Sequence, residues 1–220
     1  LMELKTDDFD RILQAFYELY GDIKLIILDE PQNINGWELF VNRLRRTKKI
    51  VITGSNSNLL SGELATHLTG RYIDFIMHPL SFKEVLSFKP NIYLIEDIAK
   101  IQRQLDRYIK ESGFPEFGRF GPRIVENIYK DIINKDCLDR HEIKHKKTFR
   151  EISNYLLSNF SSEFTYSKLS HIFNIKDVHT IKNYVGYLKE AFLIIVLDRF
   201  SPKLKQQIIA PKKVYAIDHG

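Results

Sequence analysis

Apolar residues in the first third of the chain form three continuous runs that alternate with periodic stretches. The runs are KLIILDE at 24–30, KKIVITGS at 48–55 and RYIDFIMHPLS at 71–81. Short apolar runs bounded by polar residues are typical of strands buried on both faces of a sheet. The periodic stretches predict helices at 7–20, 38–46 and 58–69. This alternation predicts an α/β fold, with a parallel sheet and helices on its faces.

The rest of the chain is predominantly helical in pattern. Periodic apolar positions predict further helices at 81–88, 95–112, 123–139, 149–160, 162–173 and 178–191. A glycine- and proline-rich segment, 113–122, interrupts this series. Two apolar runs, FLIIVLDRF at 192–200 and KKVYAID at 212–218, predict a pair of strands. Three helices followed by a two-stranded hairpin give residues 149–220 the element order of a winged helix.

Composition narrows the class of protein. The chain has 220 residues, of which 44% are hydrophobic and 28% are charged, as in soluble globular proteins. Its single cysteine, Cys137, excludes an intramolecular disulfide framework and a multi-cysteine zinc site. No apolar run reaches the roughly 18 residues of a transmembrane helix, so no membrane partner is expected. The acidic, polar start is unlike a secretory signal, and the cytoplasm is the expected compartment.

The charge is unevenly distributed along the chain. Of the formal net charge of +5, residues 1–90 contribute −1 and residues 91–220 contribute +6. A basic C-terminal part is compatible with binding to nucleic acid. An excess of this size is equally typical of a solvated surface.

The acids that end the first apolar run are the sharpest chemical signal. Asp29 and Glu30 follow LIIL at the carboxyl end of a predicted strand, where ligands bind in open α/β sheets. One carboxylate could hold the hydration shell of a magnesium ion while the next polarises a water molecule. Alternatively, Asp29 caps the following turn and Glu30 is a surface acid. The second run ends in Thr53, Ser55 and Asn56, which also suit an ordinary strand-to-helix loop with a capping side chain.

Longer segments of the chain resemble a known family. They are KLIILDEPQNINGWELFVNRLRR, KKIVITGSNSNLLSGELATHLTGRYIDFIMHPLSFKEVL and GFPEF, followed by LLSNFSSEFTYSKLSHIF, HTIKNYVGYLKEAFLIIVLDRFS and PKKVYAID. Together they resemble the predicted AAA-type ATPases of archaea and bacteria, in which a P-loop domain precedes a domain of unknown function. The resemblance implies a partial P-loop parallel sheet with flanking helices in residues 1–90. A helical linker at 91–148 and a winged-helix domain at 149–220 would follow.

The resemblance also implies roles for individual residues. Asp29 and Glu30 match the Walker B acids, so Asp29 would bind Mg²⁺ through water and Glu30 would be catalytic. The tip that follows the second strand matches the polar sensor position, which would place Thr53, Ser55 and Asn56 against ATP. Arg71 matches the arginine of the family's GRY segment, a γ-phosphate sensor or arginine finger. Its alternative role is a salt bridge to a surface acid.

The chain departs from the family pattern because no GxxxxGK[ST] segment occurs in it. The family carries its P-loop upstream of the matching segment, and its members continue beyond YAIDHG into a nuclease-like domain. A fragment truncated at both ends is therefore expected. Backbone amides and a lysine of the P-loop supply most phosphate contacts, so this chain should bind ATP weakly or not at all. Open sheet edges could pair with another protein or a second copy.

A winged helix would present a second set of candidate residues. The predicted helix 178–191 would enter the major groove of DNA. The candidates for nucleic-acid contact are His179, Thr180, Lys182 and Asn183 on this helix, and Arg199, Lys203 and Lys205 on the wing. Winged helices also bind proteins, however. The leading hypothesis is an ATP-binding AAA-type protein coupled to a winged helix, and the alternative is a DNA-binding or protein-docking module whose ATPase part is a scaffold.

Overall fold

The computed structural model describes residues 6–55, 70–86, 91 and 93–220. The chain divides into two compact units, Leu1–Phe75 and Ile76–Gly220. Each unit is described by itself below.

The first unit contains two helices and a two-stranded parallel sheet in the residues described. Its elements are α1 (Thr6–Tyr20), β1 (Leu25–Asp29), a 3₁₀ turn (Pro31–Asn33), α2 (Trp37–Leu44) and β2 (Lys49–Thr53). The strands pair in register from Leu25 with Lys49 to Asp29 with Thr53. The parallel pairing of the first two apolar runs, inferred from their alternation with helices, is therefore confirmed.

The core of the first unit covers only one face of this sheet. Trp37 and Val41 of α2 are buried against Phe9 of α1 and against the side chains of Leu28, Ile50 and Ile52 on the strands. The rings of Phe9 and Phe40 stack with their centroids 4.6 Å apart. On the other face, Leu25, Ile27 and Val51 are 49%, 63% and 47% exposed. The expectation that both faces are buried is wrong for the described residues.

The third predicted strand is also corrected by the structure. Residues 71–81 form no strand, and Tyr72, Ile73 and Phe75 within them are exposed. An apolar run becomes a strand only where a neighbouring strand offers hydrogen-bonding partners, and neither β1 nor β2 pairs with this segment. The predicted helix 58–69 lies outside the described residues.

The second unit combines a series of helices with a three-stranded antiparallel sheet. Its elements are α3 (Phe82–Val85), α4 (Ile95–Lys110), α5 (Phe117–Phe120), α6 (Pro122–Asp131), a π-helix (Ile132–Asp139), α7 (Lys146–Ser158), β3 (Glu163–Phe164), α8 (Tyr166–Ile172), α9 (Val178–Glu190), β4 (Ile194–Leu197), α10 (Leu204–Ile209) and β5 (Lys212–Ala216). The strand order is β3-β5-β4. The core is formed by the π-helix, α7, α8, α9 and the inner residues of the strands.

Strand β3 and helix α10 are two elements of the second unit that differ from the sequence prediction. The segment predicted as a helix at 162–173 begins as strand β3, because Phe164 is buried in the core and pairs with Lys212 of β5. Helix α8 starts only after Thr165, whose hydroxyl accepts a hydrogen bond from the Lys168 amide at 3.1 Å. The expected two-stranded hairpin is thus a three-stranded sheet, and α10 lies in the connection between β4 and β5.

The last residues of the chain pack onto the segment that follows α4. The Asp218 carboxylate accepts hydrogen bonds from Ser112 Oγ at 2.7 Å and from the Gly113 amide at 2.8 Å. The Leu80 amide donates to the Gly113 carbonyl at 2.7 Å, and the Tyr108 hydroxyl donates to the Leu80 carbonyl at 2.8 Å. We refer to this meeting of three chain segments as the Gly113 junction.

Candidate functional site

The structure brings two of the predicted nucleotide-site residues together at the carboxyl ends of the strands. Asp29 is the last residue of β1, Thr53 is the last residue of β2, and the two are direct partners in the parallel register. The Thr53 hydroxyl donates a hydrogen bond to Oδ1 of Asp29. Both side chains are exposed. A carboxylate oriented by a hydroxyl at this edge of a sheet is suited to hold a hard cation directly or through water.

Glu30 takes a different position from its neighbour Asp29. Its backbone is left-handed, with φ 49° and ψ 46°, which is uncommon for a residue other than glycine. Its side chain is half-buried, and Oε2 accepts a hydrogen bond from Nε2 of Gln32. The two adjacent acids therefore occupy different environments, as a division of roles between them requires.

Sequence reasoning missed Gln32 as a partner of Glu30. The signal available was its position two residues after the acid, within the turn-rich loop PQNINGW. The opposite side of its amide, Oε1, is buried and has no hydrogen-bond partner within the described ranges. Gln32 thus combines one contact to the candidate catalytic acid with an unused acceptor.

The loop that carries Glu30 is anchored by apolar packing. Pro31 is buried directly after the acid. Gly36, with φ 80°, supplies the left-handed turn that leads into Trp37. Trp37 is buried against Leu28, Ile50 and Ile52, so the start of α2 is fixed to the strands that end in Asp29 and Thr53. The strands that end in Asp29 and Thr53 are therefore supported by a packed layer on the sheet face opposite to these two side chains.

Two of the three remaining predicted residues of this site, Ser55 and Arg71, are among the residues that the structure describes. Ser55 is exposed just beyond β2, and Asn56 lies outside the described residues. Arg71 is exposed after Gly70, whose φ is 68°. No hydrogen bond or ion pair between described residues joins Arg71 to Asp29 or Glu30. Its assignment as a phosphate sensor stays a prediction.

The arrangement fits part of a magnesium–ATP site. Magnesium takes oxygen ligands, commonly one or two carboxylates together with phosphate oxygens and water, and Asp29 and Thr53 supply oxygens of the required kind. The glycine-rich loop that cradles phosphates is absent from the sequence. No cluster of three or more His, Cys, Asp or Glu side chains suited to a metal occurs in the part of the chain that the structure describes.

Helix α9 presents three of the four predicted nucleic-acid contacts to solvent. His179, Lys182 and Asn183 are exposed, while the opposite face of the helix, including Ile181 and Leu188, is buried in the core. The distribution follows the 3.6-residue period of an amphipathic helix.

The fourth predicted contact, Thr180, takes part in the cap of α9. Asp177 is the N-cap residue and accepts hydrogen bonds from the amides of His179 at 2.9 Å and Thr180 at 3.1 Å. The Thr180 hydroxyl donates to the same carboxylate at 2.9 Å. These bonds, with that of the His179 amide the largest contributor, hold the pKa of Asp177 below its usual range. Thr180 is therefore a structural residue of the cap in this state of the protein.

The segment between β4 and β5 carries the other three predicted contacts. Arg199, Lys203 and Lys205 are exposed, whereas Lys212 forms an ion pair with Asp198. Sequence reasoning missed the exposed apolar residues of the same segment. The apolar letters within KLKQQIIA were the available signal, and their helical spacing corresponds to α10.

A partly buried cluster of side chains between the π-helix and α9 was not predicted either. The imidazole of His141 stacks on Tyr187 with the ring centroids 3.7 Å apart, and its Nε2 lies 3.6 Å from Oε2 of Glu190. Burial lowers the pKa of His141 despite the nearby carboxylate. Burial, with a smaller contribution from Asp136, raises the pKa of the Cys137 thiol to about 12. This environment favours an inert, packed cysteine over a nucleophile.

Comparison with known proteins assigns both parts of the chain. Residues 1–86 match a family model described as an AAA domain, and residues 102–220 match a domain of unknown function (DUF8612). The AAA domain points to a nucleotide-binding, AAA-like ATPase family. Every helix within the described ranges is too short or too polar to cross a membrane.

The relatives that the chain matches are longer proteins. An uncharacterized protein of Methanocaldococcus jannaschii is 34% identical over 99% of this chain and 52% of its own length. An uncharacterized protein of Haemophilus influenzae is 31% identical over 98% of the chain and 56% of its own length. The chain thus spans about half the length of the curated relatives it matches. No solved structure matches it. The chain belongs to the family defined by the domain of unknown function DUF8612, here preceded by an AAA domain.

Proposed function

We propose that the chain is the part of an AAA-type ATPase that carries the Walker B acids and the sensor strand, joined to a winged-helix domain. The observation that carries the proposal is the pairing of Asp29 with Thr53 at the ends of adjacent parallel strands. The match to an AAA domain supports nucleotide binding by this half of the chain.

The two acids would have separate roles in this proposal. Asp29, oriented by the Thr53 hydroxyl, would hold the hydration shell of Mg²⁺. When bound, magnesium supplies charge neutralisation for the phosphates. Glu30, held by Gln32, would orient the attacking water and accept its proton. Arg71, with Ser55 and Asn56, would contact the phosphates.

The catalytic assignment is testable in the M. jannaschii relative, which is about twice the length of the chain. Glutamine in place of the residue aligned with Glu30 should lower ATP turnover by about 100-fold or more, because an acid that acts as general base contributes on that scale. ATP affinity should remain near normal. The matched control is glutamine at the position aligned with Glu38, an acid of α2 that makes no hydrogen bond or ion pair to the strand-end residues. Unchanged turnover in the first variant would contradict the role of Glu30.

The chain itself provides a second test of nucleotide binding. Because it lacks a P-loop, we expect weak affinity for Mg-ATP and no measurable hydrolysis. Submicromolar binding in calorimetry would contradict this expectation. Thr53→Ala should weaken whatever magnesium-dependent binding is present, since the Asp29 carboxylate would lose its orienting hydroxyl.

The winged-helix assignment rests on element order in residues 149–220. The order of elements is α7, β3, α8, α9, β4, α10, β5, and the sheet order is β3-β5-β4. Apart from α10, which is added between β4 and β5, this is the arrangement expected of a winged helix, in which α9 would be the recognition helix. The exposed side chains of His179, Lys182 and Asn183 favour DNA as a second candidate ligand.

DNA binding by α9 would depend strongly on salt. If about four phosphates are neutralised, the log–log salt slope on duplex DNA should be about −3.6. Changing Lys182 and Asn183 together to Ala should weaken binding measured by fluorescence anisotropy. Absence of binding at about 50 mM salt, with the fold verified by circular dichroism, would contradict the DNA hypothesis.

A further inference from the structure

The connection between β4 and β5, residues 198–211, exposes four large apolar side chains. Phe200, Leu204, Ile208 and Ile209 are 88%, 69%, 65% and 71% exposed. Leu204 and Ile208 are one helical turn apart on α10, so their side chains share a face. Large exposed apolar patches on proteins often mark a surface that binds a partner.

The connection has its own internal order and a concave surface. Ser201 Oγ donates to Gln206 Oε1 at 3.0 Å and accepts a hydrogen bond from the Lys203 amide at 3.2 Å. The ion pair between Lys212 and Asp198 joins its two ends. A cleft of about 510 Å³ lies within it, lined on its apolar side by Phe200, Pro202, Ile209 and Pro211. A cleft of this size can accept one or two apolar side chains of a partner.

The charge of the same segment indicates that the partner surface is negatively charged. Asp198 is the only acidic residue between positions 198 and 213 of the sequence, and it is paired with Lys212. Arg199, Lys203 and Lys205 are exposed around the apolar side chains. A complementary surface would therefore combine carboxylates with apolar anchors.

We propose that the β4–β5 connection docks an acidic segment of a protein. The apolar side chains of this segment would enter the cleft and pack on the adjoining face of α10 that carries Leu204 and Ile208, while its carboxylates face the three cations. Phosphate contacts alone would leave Phe200, Leu204 and Ile208 without apolar partners, and protein–DNA interfaces are more polar than this surface. The inference goes beyond the proposed function because it requires neither nucleotide nor DNA.

The experiment uses the full chain and a labelled peptide of defined composition. The probe is a short helical peptide with Leu and Phe on one face and Glu elsewhere, and its counterpart carries Lys in place of every Glu. Fluorescence anisotropy should show saturable binding of the acidic peptide and binding weaker by about tenfold or more for the basic one. Leu204→Ser with Ile208→Ser should weaken binding of the acidic peptide by about tenfold, since the apolar face of α10 is removed.

Matched control variants distinguish binding at the β4–β5 connection from non-specific hydrophobic or electrostatic binding elsewhere on the chain. Leu19→Ser removes a leucine of α1 that is 74% exposed and should leave binding unchanged. Lys203→Glu with Lys205→Glu should weaken binding and reduce its salt dependence, whereas Lys144→Glu, outside the connection, should not. Circular dichroism of each variant verifies that the chain is folded.

Several outcomes would overturn the proposal. One is no saturable binding of the acidic peptide by the folded chain. Another is tighter binding of duplex DNA or of anionic phosphatidylglycerol vesicles that depends on Lys203 and Lys205 but not on Leu204 and Ile208. A third is a dimer in sedimentation velocity that Leu204→Ser with Ile208→Ser dissociates, which would make a second copy the occupant. None of these outcomes depends on whether the protein binds or hydrolyses ATP. The proposed ATPase function and the proposed docking surface can therefore be refuted separately.

Discussion

Adding one methyl group at Gly113 should destabilise the second unit selectively. A Cβ atom at this position would lie 2.5 Å from the Leu80 carbonyl oxygen, 3.0 Å from Pro79 Cβ and 3.1 Å from Asp218 Oδ2. The nearest atom belongs to the backbone, so relief requires movement of a chain segment rather than rotation of a side chain.

The size of the effect follows from what that movement breaks. Overpacking costs about 1–3 kcal/mol. Separation of Gly113 from Leu80 and Asp218 would weaken a backbone hydrogen bond and one to a carboxylate, of which the latter alone is worth about 1.5–3 kcal/mol. We therefore expect Gly113→Ala to lower the free energy of unfolding of the second unit by at least about 2 kcal/mol. For a unit of this size, that corresponds to a fall in Tm of about 6 °C or more.

The assay can distinguish the two units. Trp37 is the only tryptophan of the chain and is buried in the core of the first unit, so its fluorescence reports on that unit. Far-ultraviolet circular dichroism is dominated by the helices of the second unit. Gly113→Ala should shift the circular dichroism transition in urea and leave the Trp37 transition nearly unchanged.

A matched substitution provides the control for Gly113→Ala. Gly118, in α5, has no heavy atom within 4 Å of an added Cβ, so Gly118→Ala should be neutral or slightly stabilising. If both variants unfold at the same urea concentration as the unsubstituted chain, the Gly113 junction does not constrain the fold and the argument is wrong.

Three further predictions concern the second unit. Gly186 lies in α9 with open space around an added Cβ. Gly186→Ala should therefore stabilise the unit by about 0.5–1 kcal/mol in urea unfolding, because it reduces the conformational freedom of the unfolded chain. Destabilisation would show that an added methyl group clashes at this position. Cys137, whose pKa is about 12, should react with a disulfide reagent at neutral pH only as fast as the unit opens, so a rate that urea does not accelerate would contradict its burial. Because burial lowers the pKa of His141, the unfolded chain takes up the proton more readily, and stability should fall as pH drops below about 6.5 toward the folded pKa. His141→Phe, which keeps a ring on Tyr187, should reduce that fall, and an identical pH profile would remove His141 as its cause.

Local patterns predicted much of the fold. The apolar runs that end in Asp29 and Thr53 are paired parallel strands, and the periodic stretch at 178–191 is helix α9. The segment 71–81 was not predictable in the same way, because its apolar content is that of a strand while strand formation depends on a neighbour elsewhere in the chain. Strand β3 was missed because two residues are too short to show an alternating pattern.

The candidate site, like the fold, has features that local sequence patterns predicted and features that depend on other parts of the chain. The position of the acids after an apolar run predicted that Asp29 lies at the end of a strand, and the family resemblance assigned the tip of the next strand to the same nucleotide site. The sequence did not predict which residue is the partner of Asp29, because this depends on the register of the two strands. The register places Thr53, and not Ser55, opposite Asp29. The contact from Gln32 to Glu30 arises from a left-handed backbone conformation at Glu30 itself. This conformation could not be predicted from the sequence, because it is uncommon for a residue other than glycine.

The bare face of the β1–β2 sheet has a consequence for how the molecule opens. Parallel sheets ordinarily have both faces covered, and a pair of strands gains little from hydrogen bonding alone. With Leu25, Ile27 and Val51 half-exposed, amides of these strands should exchange with deuterium faster than those of α7 and α9, because local opening needs less energy where fewer apolar contacts are lost. In a cell, proteases would gain access to the chain at this layer first, and a molecule that covers the face would lengthen the lifetime of the protein without touching its chemistry.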